Sequence, residues 1–168
     1  ERLDTVVPRL MREQKIDMWV IAAREYFEEP VIATMLNAES MHARRRTILV
    51  FFDPGEGKPV ERLTVSRYGL GGLFEPAWKP EEQPDQWKAL ADIIVAEGVD
   101  VFVPVSSPAA SVPEARVADL VRDRVAGRCE VLHGSAALIA TLDDKRDFSR
   151  LATSIGLTVP ESGLITDP

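Results

Sequence analysis

The stretch Thr47-Ile48-Leu49-Val50-Phe51-Phe52 is the strongest strand signal in the chain. A short, continuous apolar run of this kind is typical of a β-strand that is covered on both faces. Residues 53–57, Asp-Pro-Gly-Glu-Gly, follow it and form a strong turn signal. Residues 60–66 then alternate apolar and polar side chains, so we expect a neighbouring strand that returns antiparallel.

The segments around this hairpin alternate between strand and helix patterns. Residues 18–23, Met-Trp-Val-Ile-Ala-Ala, are a second apolar run, and strands are also predicted over 99–105 and 129–133. This alternation predicts an α/β fold: a three-layer α/β/α arrangement around a mostly parallel, mixed sheet of about five strands with one antiparallel hairpin. Helices are predicted over 2–15, 28–36, 86–97, 113–125, 135–142 and 144–155, with an ordered loop pinned by aromatic residues over 68–84.

The composition is that of a globular protein with an acidic surface. The chain has 168 residues, of which 45% are hydrophobic and 28% charged, and its net charge is −7. That balance disfavours nucleic acid or an anionic membrane as a partner. No apolar run approaches the roughly 18–20 residues that cross a bilayer, and the N-terminus resembles no secretory signal, so a cytoplasmic location is expected. Cys129 is the only cysteine, which excludes an intrachain disulfide, and we interpret it as a buried strand residue.

The chain has few residues suited to metal binding or nucleophilic catalysis. His42 and His133 are the only histidines, and they lie in unrelated segments. No acidic residues stand near them at metal-ligand spacing, so no metal site is predicted. No set of serine, histidine and aspartate has local support as a triad, and no catalytic residue is predicted.

Three residues are candidates for binding a nucleotide or an anion. Ser106 and Ser107 follow a predicted strand, where backbone N–H groups and a helix N-terminus could hold an anion, although helix capping is the simpler interpretation. Lys145 follows two aspartates, and it is either a phosphate-binding lysine or an exposed base beside a helix cap formed by Asp144. We expect a small-molecule ligand to be absent or weakly bound, and we predict no cofactor.

Two short motifs resemble ligand-binding patterns but have simpler structural interpretations. Gly69-Leu70-Gly71-Gly72 would need a third glycine at position 74, where Phe74 stands, to match a phosphate-cradling loop. Arg44-Arg45-Arg46 precedes the apolar run, so we interpret it as a solvated or capping turn before a strand. Turn formation accounts for both motifs.

The first half of the chain resembles a known family. Residues 1 to about 95, through RLMREQKIDMWVIAAREY, ARRRTILVFFD and VERLTVSRYGLGGLFEPAW, are similar to the N-terminal domain of creatinase/prolidase-type metallopeptidases, which include Xaa-Pro aminopeptidases. The resemblance implies a domain that helps to form a dimer and shapes the substrate mouth. The family's metal ligands, two aspartates, a histidine and two glutamates, belong to a catalytic domain that these residues do not resemble.

The second half resembles a different family. Residues from about 95 to 168, through EGVDVFVPVSSPAAS, CEVLHG, LDDKRDFSRLATSIGLTVPES and ITDP, are similar to the beginning of an ATP-grasp carboxylate–amine ligase. The pattern Asp-Lys, a helix, then Gly-Leu-x-Val-Pro is typical of the passage from the pre-ATP-grasp domain into the nucleotide-binding domain. The resemblance implies that Lys145 contacts a nucleotide phosphate. The rest of the ATP clamp and the acidic Mg²⁺ ligands belong to a later part of that family.

The two resemblances meet near Ile94–Gly98, inside a helix that leads into a strand. We therefore predict one compact domain over residues 1–168, a chimera of segments 1–95 and 96–168 that is engineered or selected and has no catalytic function of its own. The alternatives are a dimerisation and substrate-mouth domain of a metallopeptidase, and a weak nucleotide- or anion-binding module. A homodimer is a possible assembly. The predicted core residues are Trp19, Val20, Ile21, Ile48, Val50, Phe52, Val101, Val103 and Val131.

Overall fold

The computed structural model describes residues 1–23, 30–37, 45–55, 57–68, 70–105, 111–125 and 127–161. Within these ranges the chain is a mixed α/β protein with six α-helices and two sheets, as the sequence predicts at this level. The α-helices are α1 Val7–Gln14, α2 Pro30–Met35, α3 Gln86–Ala96, α4 Ser111–Val125, α5 Ala136–Asp143 and α6 Lys145–Ser154. The strands are β1 Met18–Ala23, β2 Thr47–Phe52, β3 Glu61–Val65, β4 Glu75–Pro76, β5 Val101–Phe102 and β6 Glu130–Val131.

The first sheet has the order β1-β2-β3-β4, and β2 is at its centre. β1 and β3 both run antiparallel to β2, whereas β4 pairs parallel with β3. The prediction of a mostly parallel five-stranded sheet therefore differs from this sheet in strand direction. An apolar run indicates only that a strand is covered on both faces, and a central antiparallel strand between helices is buried as fully as a parallel one. The run therefore does not determine the direction of the strand. Four consecutive residues of β2, Ile48 to Phe51, are 0% exposed.

The second sheet contains only β5 and β6, which run parallel. The strands that the sequence predicts over 99–105 and 129–133 are confirmed in position but shorten to two paired residues each. The prediction that Val101 and Val103 belong to the core is wrong, because they are 49% and 52% exposed. No described strand pairs with the other edge of β5, so no further described strand covers Val101 and Val103.

The side chains of the first sheet divide between two hydrophobic clusters. In β1 and β2, Ile21, Leu49 and Phe51 pack with α1 and α2 in one cluster. Ile48 and Val50 point the other way, as the two-residue period of a strand requires. They pack with α3 and α4 in a second cluster, the joint cluster, which draws buried residues from both halves of the chain: Ile48, Val50, Val65, Trp78, Ala89, Leu90, Ala91, Ile94, Val117, Val121, Val125 and Cys129.

The loop over residues 68–84 is held by buried aromatic side chains, as predicted. Phe74 is 4% exposed and meets Phe51 edge to face, with ring centroids 5.5 Å apart. Trp78 is 7% exposed and its Nε1 donates a hydrogen bond to Gln83 O at 2.6 Å. Gly71 and Gly72 have φ values of 62° and 75°, and β4 follows them instead of a helix, which confirms the turn interpretation. Gly69 lies outside the described residues.

The N-terminal helix begins differently from the single helix predicted over 2–15. Residues 2–6 form a π-helical turn that leads into α1. Pro8 has no backbone N–H, so it cannot donate the α-helical bond to Asp4 O. At the other end, Lys15 caps α1 in the left-handed region with a φ of 55°, which no sequence pattern indicated.

The ends of α3 follow the sequence prediction. The side chain of Asp85 caps the N-terminus, because its Oδ1 accepts hydrogen bonds from Trp87 N at 2.9 Å and Lys88 N at 3.3 Å. Gly98 stands just past the C-cap with a φ of 67°, a backbone conformation that glycine adopts at little cost. The helix that crosses the boundary between the two segments is therefore capped at both ends by local sequence.

The joint cluster predicts a large stability effect at Ile94, which is 1% exposed. Ile94→Ala is expected to lower the free energy of unfolding by about 2–5 kcal/mol, because it leaves a cavity between α3, the first sheet and α4. The measurement is urea unfolding followed by far-UV circular dichroism. Ile155→Ala is the matched control, since Ile155 is 66% exposed and its truncation should change stability by less than about 0.5 kcal/mol. Equal losses in both variants would contradict the packing described.

Candidate functional site

A cleft of about 1220 Å³ separates the two sheets. β1 forms one wall and the segment from Glu97 to Val105, which contains β5, forms the other. Leu90 of α3 and Val117 of α4 line it as well, so the helices of the joint cluster lie beneath both sheets. Its volume exceeds the roughly 300–1,000 Å³ that is typical of small-molecule pockets.

The wall made by β1 is a sheet edge with which no other described strand pairs. β1 is the first strand of its sheet and pairs only with β2 among the described strands. Asp53 N donates to Asp17 O at 2.8 Å, so these two residues are a hydrogen-bonded pair of the antiparallel ladder. Hydrogen-bonded pairs alternate along such a ladder, so Trp19 and Ile21 direct their backbone groups at β2. Met18, Val20 and Ala22 therefore direct their N–H and C=O groups away from β2, toward the free edge.

The cleft combines apolar side chains with acidic ones. Val105, which lines it, is 89% exposed, and Val101, Val103 and Ile16 are each close to half exposed. Among the described residues, its charged lining residues are Lys15, Asp17, Asp53, Glu97, Asp100 and Glu114, and the charge of Asp53 is balanced by Arg12. This arrangement favours an occupant that is apolar along its length and positively charged at one end.

An ion pair fixes one end of the cleft. Arg12, at the end of α1, binds the Asp53 carboxylate through two hydrogen bonds, Nε to Oδ2 at 2.7 Å and Nη2 to Oδ1 at 3.1 Å. Arg12 Nη2 also donates to Lys58 O at 2.7 Å, and Gly55 N donates to Asp53 Oδ1 at 3.1 Å. The Arg12 hydrogen bonds hold the pKa of Asp53 below its ordinary value, against the opposing effect of burial. The turn after β2 is thereby fastened to α1.

A second region contains Lys145, one of the three residues that the sequence singled out for anion binding. Ser111 Oγ donates to Asp143 Oδ2, which brings the start of α4 against the end of α5, close to Lys145. Lys145 is exposed at the first position of α6. Asp144 Oδ1 accepts from the two backbone N–H groups that follow Lys145, each at 2.9 Å, so the N-terminus of α6 already holds a carboxylate. Ser106 and Ser107 lie outside the described residues.

His133 has a structural role at the end of β6. Its carbonyl oxygen accepts a hydrogen bond from Arg122 Nη2 at 2.7 Å. Arg122 also pairs with Asp119, whose second carboxylate oxygen accepts from Ala136 N at 2.9 Å. This network ties β6 and α5 to α4. Across the described ranges, no group of three side chains is placed to bind a metal ion, and His42 lies outside them.

Cys129 and Arg46 also have structural roles. Cys129 is 5% exposed in the joint cluster, as predicted, and burial raises the pKa of its thiol. Arg46 lies over the ring of Trp87 with its guanidinium carbon 4.9 Å from the ring centroid. Its carbonyl oxygen accepts from Gln86 Nε2 at 3.1 Å, so this arginine anchors α3 beside β2. Arg44 falls outside the described residues.

Sequence reasoning did not find the cleft. Its walls come from residues about eighty positions apart, and no short motif joins them. The available signal was the apolar segment from Val99 to Val105, which we assigned to the core of one sheet. Comparisons of the chain with protein-family models, with curated proteins and with solved structures find no match. In the part of the chain that is described, no helix has both the length and the apolar character needed to cross a bilayer.

The ion pair at the cleft predicts a pH dependence. The folded pKa of Asp53 lies below its ordinary value of 3.8, so the pair stabilises the fold above about pH 4, and this stability is lost as the pH falls through the folded pKa. Asp53→Asn should therefore cost about 1–2 kcal/mol near neutral pH, a value limited by the 47% exposure of the Arg12 side chain. Its stability should also decline less than that of the wild type between about pH 6 and pH 3.

Urea midpoints across that pH range measure this effect. Arg12→Gln is the complementary variant, because it removes the partner and should flatten the same part of the pH profile. Parallel profiles for the wild type and both variants would show that Asp53 titrates alike in the folded and unfolded chains, and would contradict the prediction.

Proposed function

We propose that this chain has no catalytic function of its own and is a folded chimera of two α/β segments, residues 1–95 and 96–168. The observation that carries the proposal is one shared core beneath two separate sheets. Ile48 of the first sheet and Val121 of α4 belong to the joint cluster, whereas no described strand joins β1 to β5. Segments combined for stability need only matching apolar surfaces to share a core, while a continuous sheet needs matching strand edges as well.

The position of α3 supports a junction near residues 94–98. In its first turn, Gln86 Nε2 donates to Val65 O in the first segment. Further along, Asp92 forms an ion pair with Arg124 of α4 in the second segment. If two segments are joined inside a helix that leads into a strand, the order of helices and strands stays intact on both sides of the junction.

Association is a second candidate function. The resemblance of residues 1–95 implies a domain that helps to form a dimer and shapes a substrate mouth. The free edge of β1 and the exposed valines of the facing wall favour such a role, because contiguous apolar exposure marks interaction surfaces. A homodimer is the assembly proposed under this alternative.

Two finer features are part of the proposal. The cytoplasm is the proposed compartment, because Cys129 is a buried free thiol in a chain with no second cysteine. A three-layer arrangement is the proposed architecture, with α1 and α2 on one face of the first sheet and α3 and α4 on the other. The packing of both sheets on α3 and α4 supports this second feature.

A peptidase assay tests the absence of catalysis. The full chain with Mn²⁺ or Co²⁺ and a peptide that begins Xaa-Pro is expected to release no amino acid, because the resemblance assigns the metal ligands to a domain that residues 1–95 do not match. Chromatography of the products, with and without a chelator, is the measurement. Chelator-sensitive cleavage that follows the chain through successive purification steps would contradict the proposal.

A thermal shift assay tests the nucleotide-binding alternative. We expect ATP with Mg²⁺ to leave the melting temperature unchanged, because Asp144 already occupies the first N–H groups of α6. Lys145→Ala should behave like the wild type, and Lys88→Ala on the exposed face of α3 is the control for loss of a surface charge. A saturable rise that Lys145→Ala abolishes and Lys88→Ala preserves would favour the nucleotide-binding module instead.

A further inference from the structure

We propose that the cleft between the sheets is a peptide-binding site that takes an extended segment, apolar along its length and basic at one end, as an added strand on β1. The proposal rests on three features that coincide at one place. These are the edge of β1 with which no described strand pairs, the apolar wall opposite it, and the acidic residues Asp17, Glu97 and Asp100 in the lining. Strand addition to an open edge is a recurrent way of binding peptides.

The edge of β1 supplies the hydrogen bonds. Because the ladder with β2 uses the backbone groups of Trp19 and Ile21, the edge presents donors and acceptors at Met18, Val20 and Ala22. An incoming strand would pair with these three residues and leave the ladder with β2 intact. In this arrangement the main chain contributes affinity and alternate side chains contribute specificity.

The opposite wall and the helices beneath supply apolar contacts. Val101 and Val103 are about half exposed and Val105 is 89% exposed. An occupant of the cleft would therefore remove apolar surface of all three valines from water. Trp87 of α3 is partly buried and lines the cleft, so it is placed to contact the same occupant from below. The volume of about 1220 Å³ suits a short peptide segment better than a single small molecule.

Charge favours a peptide with a basic end over other occupants. Asp17 stands immediately before β1 and Asp100 immediately before β5, and Glu97 lines the cleft near Asp100. The net charge of the chain is −7, so a second copy of the chain meets electrostatic repulsion here that a lysine-bearing peptide does not.

The test uses the full chain and three fluorescein-labelled heptapeptides. The probe is Lys-Thr-Val-Thr-Val-Thr-Lys. One control replaces both lysines by glutamate, and the other replaces both valines by proline, which removes two backbone donors at unchanged charge and length. Fluorescence anisotropy should give saturable binding of the probe. We expect affinities for the glutamate peptide at least about fivefold weaker at low salt, with a gap that narrows as salt rises, and no saturable binding of the proline peptide.

Amide hydrogen exchange followed by NMR identifies the site. The probe should slow exchange at Met18, Val20 and Ala22, while Trp19 and Ile21, already bonded to β2, should change little. Ala22→Pro removes one outward donor from an edge position that tolerates proline, and it should weaken binding about tenfold. Ala22→Ser keeps the N–H group and should bind as the wild type does.

Several outcomes would overturn the proposal. They are no saturable binding of the probe up to about 1 mM, equal binding of the proline peptide, and protection confined to residues outside β1. If the chain alone protects the same three amides as its concentration rises, and sediments as a dimer, the edge binds a second copy instead. Because the peptide controls leave the protein unchanged, they decide the question even if Ala22→Pro fails to fold.

Discussion

The packing of α3 against both sheets is the interaction on which the rest of the structure depends. Leu90 and Ile94 lie in one cluster with Ile48 of the first sheet and Val121 of α4, and each of the four is at most 3% exposed. Their burial is the main source of stability that crosses the segment boundary, because the hydrophobic effect scales with apolar area removed from water and needs no matching of hydrogen bonds. A core of this kind can join two segments whose backbones do not pair.

Backbone pairing has stricter requirements, and the cleft is the result. A strand joins a sheet only if its N–H and C=O groups meet those of the neighbouring strand at about 4.8 Å over several residues. Within the described ranges, β5 satisfies this on the side of β6 for Val101 and Phe102, and β1 satisfies it on the side of β2. The shared core therefore holds two unpaired edges on the same cleft, beside the apolar side chains that a longer sheet would cover.

Much of the fold followed from local sequence, while the arrangement of the sheets did not. Asp144 caps α6 as predicted, and α3 has nearly the predicted bounds, because helix ends depend on a few neighbouring residues. The buried run at β2 was equally clear. Strand direction and the exposure of Val103 were not predictable, since both depend on which edges meet across long stretches of chain. For the site, Lys145 was identified as an exposed base beside a cap, but the cleft has no local signature.

The acidic residues and the short strand beside the cleft explain why an open edge can persist in this chain. Proteins protect free edges with charges and with short strands. β5 is two residues long, and the acidic residues Asp17 and Asp100 precede the two strands that face the cleft, so negatively charged segments meet repulsion there. These two kinds of protection depend on the charge of side chains and the length of a strand, and neither blocks the backbone groups at Val20. They therefore discriminate among partners by charge and leave the edge itself available for pairing.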